Sequence, residues 1–499
     1  MPTRTSPWWP ASVALAAVLV YAGALRNGFA LDDVPLVRDN PAIASLTNVP
    51  RLLVSPYWGD STEHYGLYRP LTVVSLAVNR AVSGPGPFGF HLVNVLLHGG
   101  VSALAWFVLR RAGTHYGTAL LGALIFAVHP IHVEAVANVA GRGELLAAGL
   151  VLAAWLAHGQ SGSWRWGAAA FYLGAVLSKE STIAAPLLFL ADDALRGTKG
   201  RSLASRLGPY VLAAGVALAL RGAALGSHQA AEATIALDNP AAAAGIGARV
   251  LTAFWVQAKY AGLCVWPRHL SSDYSFDAIP TVHSLSDPRA LAGLAFAALV
   301  AAAIVGGAKR SAPVARGAWI WVAFMLASSN LLFASGTLMG ERLAYLPSLG
   351  FCLVVAHGGA SLAARGKAAR WAVVSAAALL IAALAARTWA RVPAWKDNLT
   401  LATTDVATYP RSAKLQAGAG IFLEEAGRDA EAEAHLRRAV EIDPGYAQMH
   451  YNLGVLLARR GAADEAAEHF RKAIELVPGN PLPRRALADL MRRAKPAAP

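Results

Sequence analysis

Long apolar segments that alternate with short charged ones constrain this chain most. Of its 499 residues, 56% are hydrophobic and only 15% are charged, so most of the chain lacks the polar surface of a water-soluble domain. A helix needs about 20 mostly apolar residues to cross a bilayer. Such runs lie near residues 8–25, 89–109, 118–137, 143–158, 164–178, 181–195, 207–222, 290–306, 317–335, 345–363 and 370–387. We therefore predict an all-α, polytopic membrane bundle of about eleven transmembrane helices.

Basic residues beside the apolar runs predict the orientation of the bundle. The net charge of +14 is gathered in short loop clusters, which favours a topology signal over nucleic-acid binding. Five clusters can all be cytoplasmic if the run from Arg249 to Trp266, which carries Gln257 and Lys259, is an interfacial or re-entrant helix. The N-terminus, with an uncleaved first helix, is then inside and the C-terminus outside. Loops 26–69 and 223–289, and everything after Arg387, become external.

A second, soluble unit is expected near the C-terminus because small residues and prolines recur there every 34 residues. This period is typical of tetratricopeptide repeats, in which small residues let paired helices pack closely. We predict a membrane domain over 1–390, a linker over 391–411, repeats at 413–446 and 447–480, and a capping helix at 482–494. The matched positions are Gly420 with Gly454, Gly427 with Gly461, Ala432 with Ala466, Ala439 with Ala473, and Pro444 with Pro478.

Charged residues collect on the predicted external side of the membrane domain. A charge at a helix centre costs roughly 2.5–3.5 kcal/mol, so charges that persist beside apolar runs need a reason. Carboxylates and cations together suit group transfer from a lipid-linked phosphate, because a carboxylate can accept the proton of an attacking hydroxyl while cations stabilise the leaving phosphate. The residues are Asp32, Asp33, Arg69, Glu134, Arg142, Glu144, Lys179, Glu180, Glu341 and Arg342.

Histidines offer a metal-binding alternative at the same side. His129 and His132 precede Glu134, but their spacing differs from the zinc-protease motif, and Pro130 interrupts the helix that such ligands would use. We predict no metal ligand set, although a divalent metal ion is left open as a cofactor. His91 and His98 are seven residues apart on one helical face, where they can serve a site or hydrogen-bond within the bundle.

Seven strings of residues, which together cover most of 28–351, carry a family resemblance. The chain resembles the transmembrane and tetratricopeptide repeat-containing O-mannosyltransferases and their bacterial relatives, in the GT-C glycosyltransferase superfamily. The strings are Leu31-Asp32-Asp33 with Asp39-Asn40-Pro41, Tyr68-Arg69-Pro70-Leu71, Phe90-His91-Leu92-Val93-Asn94 with Leu97-His98, His129 to Val136, Gly141-Arg142-Gly143-Glu144-Leu145, Leu177-Ser178-Lys179-Glu180, and Gly340 to Ser348.

The resemblance implies a GT-C bundle that passes mannose, or a related sugar, from a polyprenyl-phosphate donor to a protein Ser or Thr hydroxyl on the external face. It implies a catalytic base in the first external loop, where we slightly favour Asp33 over Asp32, and Glu134 as a second acid. By the same resemblance the donor phosphate would contact Arg69, Arg142, Lys179 and Arg342. The remaining site candidates are His91, His98, His129, His132, Glu144, Glu180 and Glu341.

The resemblance also implies partners and a location. The repeats would hold an acceptor protein or peptide, although the family's members carry more than two repeats, and membrane lipids would surround the bundle. A composition rich in Ala, Gly and Arg favours a bacterial inner membrane with a periplasmic site.

Three alternatives stand beside this interpretation. The acceptor can be a lipid or a glycan, or the protein can be a non-catalytic scaffold that recruits partners through its repeats. A transporter would need midplane charges and inverted repeats, and neither is evident in the sequence.

Overall fold

The computed structural model describes residues 8–59, 66–160, 163–198, 201–226 and 237–494, and within these ranges the regular structure is entirely helical. Its first eight α-helices are α1 Trp8–Tyr21, α2 Val49–Leu52, α3 Pro70–Ser83, α4 Pro87–Arg111, α5 Tyr116–Val128, α6 Val133–Ala137, α7 Arg142–Ala157 and α8 Trp164–Ser178. Eight more complete the bundle: α9 Ala185–Leu195, α10 Arg201–Leu225, α11 Pro240–Ala243, α12 Ile246–Val265, α13 Pro288–Arg310, α14 Ala312–Met325, α15 Ser348–Ala363 and α16 Lys367–Arg391.

Several of these helices make the chain a multi-pass membrane protein. Among the described residues, six helical segments are long and apolar enough to cross a bilayer, and α5 with α6 forms a seventh if the pair is one bent span. The six are Trp8–Arg26, Pro87–Arg111, Val139–Ala157, Ser205–Leu225, Pro288–Arg310 and Lys367–Lys396.

The predicted number of about eleven spans is not confirmed. The runs at 164–178, 181–195, 317–335 and 345–363 fold as helices of 15, 11, 14 and 16 residues. A helix rises about 1.5 Å per residue, so these helices are shorter than the hydrocarbon core of about 30 Å. The helix α12, predicted to be interfacial or re-entrant, has 20 residues and is not among the six.

The run at 118–137, predicted as one helix, breaks at His129 and Pro130, where α5 and α6 meet at 49°. Pro130 has no N–H, and a break leaves the last carbonyl groups of α5 without partners inside the helix. Side chains of three other helices donate to these carbonyls. His98 of α4 lies 3.0 Å from the Ala127 oxygen, Thr388 of α16 lies 2.7 Å from that of Val128, and Tyr21 of α1 lies 2.7 Å from that of His129. The break is therefore a built feature of the bundle core.

Two glycines let α14 and α15 touch through their backbones. A Cβ atom added at Gly350 would lie 2.2 Å from the Gly317 carbonyl oxygen, and one added at Gly317 would lie 2.7 Å from that of Gly350. Small residues are common where membrane helices approach this closely. This contact positions α15, and with it the residues that precede it in sequence.

The C-terminal part consists of stacked helical hairpins, as the 34-residue period predicts. Its helices are α17 Asn398–Thr408, α18 Ala413–Glu425, α19 Asp429–Ile442, α20 Ala447–Arg459, α21 Ala463–Leu476 and α22 Pro481–Ala494. Gly420 faces Leu436 and Gly454 faces Phe470, each closely enough that an added Cβ would lie 2.7 Å from the partner side chain. The recurring glycines thus mark the helix pairs.

The segment predicted as a linker, 391–411, contains the short helix Val392–Lys396 and α17. Arg391 at the end of α16 forms a buried ion pair with Asp405 of α17, with 2.5 Å between Nη1 and Oδ1. Ala402 and Val406 of α17 pack against Leu415 of α18. We refer to residues 391–408 as the stem, because they join the repeats to the bundle through buried contacts.

We predict that Gly350→Ala lowers the thermal unfolding midpoint of the purified full chain. The added methyl group must push α14 and α15 apart, at a cost of roughly 1–3 kcal/mol. Gly358→Ala on the same helix is the matched control, because nothing lies within 4 Å of its added Cβ. Equal midpoints for the two variants would contradict the proposed close contact.

Candidate active site

Arg342 is the centre of a charged cluster at one end of the bundle. Its Nη1 lies 3.1 Å from Asp32 Oδ2 and 3.4 Å from Glu134 Oε1. The backbone N–H of Arg342 also donates to Glu134 Oε2 at 2.8 Å. Glu134 is buried, whereas the side chains of Arg342 and Asp32 are 36% and 37% exposed. The structure thus brings together three of the predicted site residues, with one acid inside and one acid accessible.

Local structure explains how these residues meet. Asp32 follows α1 in a tight turn, Glu134 lies on α6 beyond the helix break, and Arg342 lies in the short helix Glu341–Ala344 before α15. Without the break at Pro130, α5 would continue straight and α6 would not have its 49° change of direction. The break is therefore what directs Glu134 toward Arg342.

Asp33 differs from its neighbour because it is fully buried. Its Oδ1 accepts the Ala140 N–H at 2.7 Å and its Oδ2 accepts the Ala30 N–H at 3.4 Å. Burial raises the pKa of Asp33 to about 7, against the lowering effect of these backbone donors. Asp33 ties the first loop to the start of α7, so the two adjacent aspartates have different surroundings.

Two further ion pairs extend the cluster. Arg69 Nε lies 2.8 Å from Glu180 Oε2, and the guanidinium lies 4.9 Å from the ring centre of Tyr57. Lys179 forms an ion pair with Glu144. Burial lowers the pKa of Lys179, and the positive charges of Arg69 and Arg342 are close enough to lower it further. Arg342 is also close enough to Arg69 for their positive charges to repel each other. The predicted cations Arg69, Lys179 and Arg342 therefore belong to one electrostatic group.

A narrow cleft lies beside this group. Its polar lining includes Lys179, Glu144, Ser181 and Thr182. The rest of its lining is mainly apolar and consists of Ala147, Ala148, Phe324, Leu343, Leu346 and Pro347, with Ser328. The cleft thus offers polar groups and an apolar surface next to each other.

Glu341 faces away from Arg342 and holds a neighbouring loop. Its Oε1 accepts the Tyr274 hydroxyl at 2.6 Å and the Ser271 N–H at 2.5 Å. Burial raises the pKa of Glu341 to about 8. The adjacent Glu341 and Arg342 therefore connect the loop after α12 with the charged cluster.

Arg142 contacts neither Asp32 nor Glu134 among the described hydrogen bonds and ion pairs. It is fully buried, with Nε donating to Asn94 Oδ1 and Nη2 donating to the Phe90 carbonyl, both at 2.8 Å. Asn94 in turn donates to the Asn138 carbonyl at 3.1 Å. In the structure this guanidinium joins α4 to the start of α7 rather than opening onto the cleft.

The four candidate histidines are buried and hydrogen-bonded within the bundle. Besides its bond to Ala127, His98 pairs with the Tyr345 hydroxyl at 2.7 Å, and His132 pairs with Ser348 at 2.8 Å. His129 Nε2 lies 2.9 Å from the Cys264 carbonyl, and His91 Nε2 lies 3.0 Å from that of Gly28. Across the described part of the chain, no three His, Cys, Asp or Glu side chains are grouped as metal ligands.

Sequence reasoning missed three residues that organise the cluster. Tyr57 lies under Arg69, Tyr274 donates to Glu341, and Asn94 positions Arg142. Tyr57 and Tyr274 lie in loops of irregular structure, where no periodicity indicates burial. Asn94 had a signal, because an amide within an apolar membrane helix needs a partner.

Comparisons with known proteins place this geometry in context. Residues 230–301 match the family model described as "Protein O-mannosyl-transferase TMTC, DUF1736", and residues 447–480 match "Tetratricopeptide repeat". These matches support the predicted family resemblance. The second match also confirms a tetratricopeptide repeat at the position predicted for it.

Curated relatives extend the TMTC similarity along most of the chain. Protein O-mannosyl-transferase Tmtc3 of Drosophila melanogaster is 30% identical over 512 residues, covering 86% of this chain and 54% of the relative. A protein O-mannosyl-transferase of Caenorhabditis elegans is 28% identical over 443 residues, with 87% and 62% covered. Human TMTC3 is 28% identical over 463 residues, with 85% and 50% covered. The chain thus spans about half to three fifths of the length of these animal relatives.

The described part of the TMTC-matching segment, residues 237–301, contacts both the surroundings of the charged cluster and the repeats. Its Ser271 and Tyr274 contact Glu341, and the Ser272 N–H donates to Asp405 of the stem at 2.6 Å. Asp238 accepts from Lys414 of α18 at 2.5 Å. The segment therefore joins the two parts of the chain that the sequence predicted as separate domains.

The raised pKa of Asp33 predicts a pH-dependent effect on stability. Between about pH 4 and 7, the Asp33 carboxyl is protonated in the folded chain and ionised in the unfolded chain. Its protonation therefore stabilises the folded state at low pH, and this stabilisation is lost as the pH rises through about 7. Asparagine does not titrate, so the difference in stability between Asp33→Asn and the unsubstituted chain should shift in favour of the variant as the pH is raised from about 5 to about 8. Thermal unfolding midpoints at both pH values measure the difference, and a constant offset would count against a raised pKa.

Proposed function

We propose that this protein is a GT-C-type membrane glycosyltransferase that moves mannose, or a related sugar, from a polyprenyl-phosphate donor to a Ser or Thr hydroxyl of a protein. The observation that carries the proposal is the sharing of Arg342 by the accessible Asp32 and the buried Glu134. The curated relatives named protein O-mannosyl-transferase support the same reaction class.

Asp32 is the better candidate for the base, which reverses the slight preference for Asp33. Its carboxylate is accessible and close to a cation, whereas both oxygens of Asp33 accept backbone N–H groups inside the protein. In the proposed step the acceptor hydroxyl oxygen attacks the anomeric carbon of the sugar. Asp32 takes the hydroxyl proton as the bond from that carbon to the phosphate oxygen breaks, and the polyprenyl phosphate leaves with the bonding electrons.

Arg342 is the proposed contact for the leaving phosphate. Both of its ion pairs run through Nη1, so Nη2 can reach a third anion, and a guanidinium suits the paired oxygens of a phosphate. Glu134 holds the backbone N–H of the same residue and so orients it. Arg69 and Lys179 are each paired with a glutamate, so their proposed part is to offer hydrogen-bond donors to the phosphate rather than unpaired positive charge.

The residues around the cleft match a lipid-linked donor in chemistry but not in size, because the cleft has a volume of only about 20 Å³. Lys179 of the charged cluster borders it, and Phe324, Leu343 and Leu346 in its lining are apolar. A polyprenyl phosphate has the same two parts, an anionic head and an apolar chain. Arg142 is buried in other contacts, so we assign it a structural part in this proposal, and we assign no metal ion a role.

We place the site and the repeats on the periplasmic side of a bacterial inner membrane. The support is the distribution of loop charges, which predicts a cytoplasmic N-terminus, and a composition rich in Ala, Gly and Arg. The repeats would receive the acceptor protein, because stacked helical hairpins present extended surfaces for peptides. This location is part of the proposal and can be checked by labelling single cysteines introduced into the loops.

The test is sugar transfer by the purified full chain in liposomes that contain mannosyl polyprenyl phosphate and a Ser- and Thr-containing peptide. We expect Asp32→Asn to reduce the rate by roughly 10²-fold or more, because the base is removed. Asp39→Asn is the matched control in the same loop, since Asp39 is exposed and pairs only with Arg38 among the described contacts. Glu134→Gln should also slow transfer.

Other outcomes decide between the alternatives. Asp32→Asn as active as Asp39→Asn would overturn the assigned base. Transfer of sugar to a glycan or lipid acceptor, without transfer to the peptide, would favour the alternative in which the acceptor is a glycan or a lipid. Partner binding through the repeats with no transfer to any acceptor would favour the scaffold.

A further inference from the structure

The proposed base lies in a turn with an unfavourable backbone conformation. The Asp33 N–H donates to the Ala30 carbonyl at 3.1 Å, which closes a tight turn around Leu31 and Asp32. Leu31 has φ of 48°, a left-handed value that glycine adopts readily and leucine rarely does. Such conformations persist only where surrounding contacts hold them, and they are concentrated at functional sites.

One of those contacts comes from the stem, 367 residues further along the chain. Asn398 Oδ1 accepts the Leu31 N–H at 2.7 Å. Asn398 is the first residue of α17, and the side chain of Asp397 caps that helix by accepting the Thr400 N–H at 2.8 Å. The buried pair of Arg391 and Asp405 fixes α17 relative to α16. Asn398 is thus presented to the turn from a rigid support.

Neighbouring contacts align the same two segments. The Gly28 N–H donates to the Lys396 carbonyl at 2.8 Å, and Asn27 Nδ2 donates to the Val392 carbonyl at 3.1 Å. A Cβ atom at Gly28 would lie 3.0 Å from the Lys396 oxygen, so the backbones meet closely there. The first loop is therefore bound along residues 27–31 by residues 392–398 of the stem.

We propose that Asn398 is a positioning residue for sugar transfer, because its side-chain oxygen holds the Leu31 turn that presents Asp32 to Arg342. This inference rests on the proposed function. Asn398 accepts from the backbone beside the base and has no part in the chemical step. The stem that carries it is followed directly by the repeats, so the element that sets the geometry of the base is joined to the element that would hold the acceptor protein.

Replacement of Asn398 by alanine removes the acceptor of the Leu31 N–H. The turn then loses a contact that offsets its positive φ, and Asp32 can move away from Nη1 of Arg342, now 3.1 Å away. A displacement of about 1 Å at a reacting group can slow a reaction by about 100-fold. Aspartate retains an oxygen at the position of Oδ1 and so preserves the acceptor.

The experiment measures kcat and KM for the mannosyl polyprenyl phosphate donor with the purified full chain. We expect N398A to lower kcat by about tenfold or more with little change in the donor KM, because the base moves while the donor contacts remain. N398D should recover most of the lost rate. Thr404→Ala is the matched control, since Thr404 is exposed on the same helix and its hydroxyl donates only to the Thr400 carbonyl among the described contacts.

A double variant separates positioning from general damage to the fold. Leu31→Gly removes the steric cost of positive φ, so N398A should reduce kcat less in the Leu31→Gly background than in the unsubstituted chain. N398A with the same kcat as Thr404→Ala would overturn the inference, as would equal effects of N398A in both backgrounds. An unsubstituted chain that transfers no sugar would instead refute the proposed function.

Discussion

The break between α5 and α6 is the constraint on which the rest of the bundle depends. Pro130 ends the helix inside the protein, and free carbonyl groups within a membrane domain must find donors. Tyr21, His98 and Thr388 supply them from α1, α4 and α16. One interruption thereby fixes four helices relative to one another. The same break directs Glu134 toward Arg342. One interruption of the helix therefore determines both the packing of the bundle and the arrangement of the candidate site.

Much of the architecture could be predicted because it follows from patterns along the sequence. Repeated apolar runs indicate the helical bundle, and the 34-residue period of small residues and prolines indicates the tetratricopeptide repeats. The number of spans could not be predicted in the same way. In runs such as 181–195 and 345–363, many of the apolar residues are buried against other helices or border the cleft. Apolar composition alone does not distinguish burial in protein from burial in lipid.

The sequence predicts most of the residues that belong to the candidate site, but it predicts only part of how they are arranged. Loop charges indicated that Asp32, Glu134, Lys179 and Arg342 lie on one side, and the structure brings them to one end of the bundle. The pairing of Arg342 with both Asp32 and Glu134 joins residues more than 200 positions apart, which no local pattern specifies. The different burial of Asp32 and Asp33 likewise depends on the Ala140 N–H, a contact made only in the folded chain.

The TMTC-matching segment connects the charged cluster with the repeats. Through Tyr274 it holds Glu341, next to the shared arginine, and through Asp238 it holds Lys414 of the first repeat. The stem makes a second connection through Asn398 and Leu31. Two separate routes therefore link the repeats with the charged cluster, as the proposed function requires of an acceptor-binding array and a membrane site.

The central claim is that Arg342 receives the phosphate of a lipid-linked donor. The most direct measurement is the affinity of the purified full chain for polyprenyl phosphate alone, which requires neither sugar nor acceptor. We predict that Arg342→Gln weakens binding by about tenfold or more, the size expected for loss of a charge-assisted contact. Arg289→Gln, which removes another arginine paired with a carboxylate, should leave binding unchanged. Equal affinities for these two variants would contradict the account.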